Sequence, residues 1–190
     1  MLMIAECYLA TKAIIDKFSP HHTVSSKNYR FEPALYQALG IVGLISFCFG
    51  VSLLLADYHH SYSFDVNLPF IHAVTFAGVL LFACGVWWCS EYVEFRRHKT
   101  SLLHDLLHGY WNPLVAILVA TAVVGVSMEL INLRHEYWIY ANWPLQDFHV
   151  LGLPVIMIAV AWPIHFVMFL SLFRAITAKD SAEVWHAPAK

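Results

Sequence analysis

Charge is what this sequence has little of. Only 13% of its 190 residues are Asp, Glu, Lys or Arg, about half the share of an ordinary soluble domain. The net charge of −2 gives no basic footprint, which excludes nucleic acid as a partner. The four cysteines (Cys7, Cys48, Cys84 and Cys89) have no C-x-x-C or other redox or metal spacing and read as small apolar fillers. Short alternating apolar stretches are absent, which excludes a membrane barrel. No internal repeat is detectable.

What is present is apolar. Hydrophobic residues make up 59% of the chain, and mean hydropathy is +0.61. Four windows carry no charge: Pro33–Ala56, Val66–Ser90, Leu106–Met128 and Phe148–Phe173, each at least 23 residues long. About 20 apolar residues cross the hydrocarbon core, and backbone groups in lipid must be satisfied within the segment. The expected fold is therefore an all-α integral membrane protein, a four-helix transmembrane bundle over 33–176. Its spans are expected at about 34–56, 69–92, 112–133 and 150–173.

The charges orient it. Ten of the eleven basic residues flank the spans on one side, and only Arg134 falls on the other. By the positive-inside bias that side is cytoplasmic and holds both termini. The expected location is a bacterial or archaeal cytoplasmic membrane. Residues 1–18 read as an amphipathic helix: Ile4, Cys7, Tyr8, Ile14, Ile15 and Phe18 share one face, and Glu6, Lys12, Asp16 and Lys17 the other. Such a helix lies on the inner membrane surface or docks on a partner subunit. Residues 19–32 form a polar linker, and 177–190 a cytoplasmic tail. Gly43 and Gly50, and likewise Gly78 and Gly85, stand a heptad apart, where small residues let helices approach closely. Pro163 should kink the fourth span and leave Trp162 and His165 near freed carbonyls.

Three polar constellations remain. The first is Glu129 with Asn132, at i and i+3 on one helical face, followed by Trp138, Tyr140, Asp147 and His149. A glutamate at membrane depth is costly unless it has a partner or a role. A protonated carboxyl in apolar surroundings can deliver a proton to an alkene, and aromatic faces can steady the resulting cation. The second comprises Glu91, Glu94, Arg96, Arg97, His98, His104, Asp105 and His108. His104-Asp-Leu-Leu-His108 puts two imidazoles on one face, but the H-x-x-H-H boxes of di-iron hydroxylases are absent. This stretch reads as an interfacial helix with histidines on its wet face. Glu91 and Glu94 pair with nearby arginines, a pairing of little weight in water. The third is histidine supply. Haem b would need two axial imidazoles, and His72 and His165 are the candidates within spans. A copper or zinc ion would draw on His59, His60, His72, His135 and His149.

The stretch from Gly125 to about Pro163 resembles the membrane-embedded carotenoid hydratases (gamma-carotene and bisanhydrobacterioruberin hydratases). It is also similar to a wider set of membrane proteins with a Glu-x-x-Asn…Trp-x-Tyr pattern. The matching residues are Glu129, Trp138 with Tyr140, Gly152 with Pro154, and Trp162. The match covers about 40 residues, and the glycine that commonly follows the glutamate motif is missing. The resemblance implies cofactor-independent chemistry on a lipophilic polyene or isoprenoid entering from the bilayer. Glu129 would protonate a terminal double bond, Trp138 and Tyr140 would steady the cation, and Asn132 or Asp147 would position water. Two other classes stand beside it. One is a non-catalytic subunit or assembly factor of a larger membrane complex. The other is a haem- or metal-binding electron-transfer subunit.

Overall fold

The computed structural model describes residues 2–18, 29–61, 69–137 and 148–176, with backbone only for 2–5, 57–61 and 69–73. The helices are α1 (Leu2–Phe18), α2 (Glu32–Ser61), α3 (Pro69–His98), α4 (Leu102–Leu107), α5 (Asn112–His135) and α6 (Trp162–Ile176). A π-helical turn, Met157–Ala161, leads into α6. Four of these segments are long and apolar enough to cross a membrane: Glu32–Ala56, Val74–His98, Asn112–His135 and Met157–Ile176. The charge-free windows thus mark four helices; α2 runs past its window at both ends and α3 past its C-terminal end.

The fourth segment departs from expectation. Its helix starts later than residue 150, because a small antiparallel hairpin comes first. Strand β1 (His149–Val150) pairs with β2 (Leu153–Pro154), with Val150 opposite Leu153. Leu151 and Gly152 form the turn with φ of 54° and 79°, the positive pair that suits a two-residue hairpin.

Packing runs in the order α2, α3, α6, α5, α1, each helix against the next. The α2–α3 contact is made by the heptad glycines. A Cβ on Gly50 would lie 2.5 Å from the Phe82 backbone nitrogen, and one on Gly43 would lie 2.9 Å from that of Cys89. The backbones therefore touch where side chains would keep them apart. Away from this seam α2 exposes Ile41, Val42, Leu44, Ile45, Phe49 and Leu55, an apolar face suited to lipid.

Helix α1 buries part of its apolar stripe against the bundle. It packs antiparallel along α5 and contributes Tyr8 to the main core, with Ala116, Ile117, Ala120, Phe166 and Leu170. Cys7 reaches the Ala120 carbonyl, and Asp16 accepts from Asn112 Nδ2 at 2.8 Å. These contacts span about 13 Å of helix. The packed face is also rotated from the purely apolar one. Lys12 is buried, whereas Ile14 and Phe18 are exposed. Asp16 one turn on explains the inversion, since it accepts from Lys12 Nζ at 2.6 Å.

Candidate functional site

Glu129 is 1% exposed. It lies on the α6 side of α5, where Trp162 donates from its indole Nε1 to Oε1 at 3.2 Å. Two local features bring the pair together. Gly125, one turn before Glu129, leaves room for the ring: a Cβ there would come within 3.2 Å of Trp162 Cδ1. On the other helix, the Trp162 amide closes the π turn by donating to the Met157 carbonyl. The following Pro163 brings no amide proton of its own. Single π turns inside α-helices often mark functional positions.

Asn132 is half-buried one turn beyond Glu129. Its carbonyl accepts from the Glu136 amide at 2.7 Å, and Glu136 sits in the left-handed region with φ of 51°, ending α5. Trp138, Tyr140 and Asp147 lie outside the described residues. So the structure brings Glu129 to Trp162 and keeps Asn132 on their side of the bundle.

Among the described residues, no group of histidines with metal-ligand spacing forms at this end. His149 lies on an exposed strand, and His135 stacks on Tyr137 with centroids 5.1 Å apart. The side chains of His59, His60 and His72 lie outside the described residues. His165 donates from Nδ1 to the Ala161 carbonyl at 2.7 Å. With Val160, Ala161 and Ile164 it faces Phe76, Val79 and Leu80 of α3 across a shallow apolar groove of about 20 Å³. His165 is thus level with the stretch of α3 from Phe76 to Leu80.

The opposite end, which carries the basic residues, is not a wet interface. Glu91, Glu94, Ser101 and Asp105 are fully buried, and Arg174 is 1% exposed. Glu91 accepts from Trp87 Nε1 at 3.0 Å and from the Leu103 amide at 3.1 Å. The second bond ties α3 to the first turn of α4. Ser101 caps α4 by accepting from the His104 amide at 3.1 Å, and its hydroxyl is 2.6 Å from the Tyr36 hydroxyl of α2. Glu94 pairs with Arg174 of α6, not with the neighbouring arginines. Arg97 instead donates to the Ala175 carbonyl. His104 and His108 turn inward beside Glu32 rather than facing water. The physical reason is that α3 stays helical to His98, so residues past the charge-free window are still inside the bundle.

α1 closes this end. Burial pushes the Asp16 carboxyl up, but hydrogen bonds from Lys12 and Asn112, the Lys12 charge and the Tyr110 hydroxyl outweigh it. The net result lies below the usual aspartate value. Burial, with Asp16 beside it, raises the Tyr110 phenol above its ordinary range.

No protein-family model matches this chain, and neither a curated protein nor a solved structure is significantly similar to it.

Proposed function

We propose that the protein binds a long isoprenoid or carotenoid within the bilayer and modifies it by acid–base chemistry at Glu129. The supporting observation is the contact between Glu129 and Trp162. These are two separate positions of the hydratase-like pattern, 33 residues apart, and they meet across α5 and α6. A carboxyl among apolar side chains, oriented by an indole, suits proton transfer to an alkene that no aqueous channel needs to supply.

In this reading Glu129 gives its proton to a terminal carbon–carbon double bond and leaves a tertiary carbocation. The Trp162 ring and the Trp138–Tyr140 loop steady the positive charge. Water adds to the cation, and the Glu129 carboxylate takes the proton that the added water releases, restoring the starting state. The net change is addition of one water. Capture by an internal alkene instead would give a cyclic cation, and the Glu129 carboxylate would take the proton it loses to leave a neutral cyclised isomer. The basic end is cytoplasmic by charge bias, which puts this chemistry in the outer leaflet.

The test is co-expression in carotenoid-producing cells, with products resolved by mass. The wild type should yield a polyene heavier by one water, or a cyclised isomer, and Glu129→Gln should lose it at equal protein level. Unchanged product with Glu129→Gln removes the acid role. No product and no structured visible absorption in purified wild-type protein would instead favour a non-catalytic subunit of a membrane complex.

A further inference from the structure

We propose that Glu32, His104 and His108 form a binding site for one divalent transition-metal ion of the zinc class. The site sits at the basic end, away from Glu129, and does not depend on the isoprenoid reading. Glu32 opens α2, while His104 lies within α4 and His108 caps it. His104 Nδ1 is 2.7 Å from Oε1 of Glu32, and His108 Nε2 is 3.5 Å from Oε2. One donor atom from each residue lies within 4.8 Å of the other two. Ligands bound to zinc at about 2.0–2.1 Å in a tetrahedron are about 3.3 Å apart. The observed separations lie on either side of that value, so small rotations would admit an ion.

The chemistry of the donors agrees. Two imidazoles at i and i+4 on one helical face, completed by a carboxylate from elsewhere, is a recurring zinc arrangement. The two rings stand 4.2 Å apart between centroids, and His108 and Glu32 are 8% and 5% exposed. The ring nitrogens that face Glu32 donate to its carboxylate; a bound cation would displace those protons and take the same nitrogen and oxygen atoms as ligands. Tyr29 packs on the His108 ring at 5.3 Å, and Phe95 lies 6.2 Å from that of His104. This apolar wall restricts ring rotation and water access. Three protein ligands leave a coordination position for water or another donor.

The test uses the full chain in detergent, free of any affinity tag, stripped with a chelator and then loaded with Zn²⁺ or Co²⁺. Elemental analysis should give one ion per chain, and Co²⁺ should produce a visible ligand-field band. His104→Gln and His108→Gln keep a hydrogen bond to Glu32 and so preserve the fold. Each should weaken binding more than about tenfold with unchanged helical circular dichroism. The pair His135→Ala with His149→Ala, at the other end, should bind as the wild type does. Failure to retain one ion per chain, or full affinity in both Gln variants, would overturn the site. So would loss of binding in the His135/His149 control.

Discussion

The two ends of the bundle treat buried carboxylates differently. At the basic end Glu91, Glu94 and Asp16 are each held by a group from another element. Glu91 takes donors from α3 and from α4, Glu94 faces Arg174 of α6, and Asp16 is met by Lys12, Tyr110 and Asn112. These contacts join α1, α3, α4, α5 and α6. At the other end Glu129 meets the Trp162 indole, across a seam otherwise shaped by a glycine and a π turn. Charges that tie elements together belong to the fold's stability. A carboxyl whose indole contact joins only two already packed helices can be replaced with less structural loss, as a reacting group must tolerate.

The contrast is broken most severely at Arg174. Arg174→Met leaves Glu94 buried without its counter-charge, which should cost about 3–5 kcal/mol, read as a large fall in thermal midpoint in detergent. Adding Glu94→Gln should recover much of it, since the loss comes from the stranded charge. If Arg174→Met proved no worse than Glu129→Gln, the division between a structural end and a functional end would collapse.

Next in size is a close backbone-to-backbone contact. Gly50→Ala places a methyl against the Phe82 backbone, and overpacking of this kind costs about 1–3 kcal/mol. Since α2 packs chiefly on α3, its amides should exchange faster while those of α5 and α6 hold. Uniform loosening would show that the basic-end ties do not keep the rest of the bundle together.

How much of this was legible follows the same division. The four spans are visible because lipid demands unbroken apolar runs, and Gly43, Gly50, Gly78 and Gly85 are visible because close backbones demand a heptad of small residues. Glu129 stands out by its cost. Its partner does not: no spacing rule links residue 129 to Trp162, and only the family-like pattern names both. The docking of α1 is hidden because an amphipathic helix looks alike whether it rests on headgroups or on α5. Lys12 misleads further, for it is buried only because Asp16 neutralises it one turn away. The basic end is hidden for another reason. Charge counts mark where a window ends, not where the helix ends, and Arg174 finds Glu94 across 80 residues of sequence. One signal was available: Glu91, Glu94 and His98 recur at three- and four-residue spacing, a single face continuing out of the span.

A milder test falls on the Glu129 side. Trp162→Phe keeps the ring and removes the donor, a loss of about 1 kcal/mol in the thermal midpoint. Product formation should suffer far more than stability. Equal, small losses in both would make Trp162 a packing residue only.

The smallest effect concerns how firmly α1 belongs to the basic end. The Asp16 carboxyl titrates below its ordinary value of 3.8 once its burial is offset by Lys12, Asn112 and Tyr110. A carboxyl depressed in the folded state stabilises it above the ordinary pKa, and that contribution fades as pH falls through the lowered value. Acidification from neutrality to below pH 4 should therefore loosen α1 first, read as faster amide exchange in α1 than in α5. Asp16→Asn should show looser α1 at neutral pH and less further change on acidification. The Glu129–Trp162 seam should keep its exchange rates in both proteins. A matching change there would mean that α1 supports the whole of α5, and that the two ends are mechanically one.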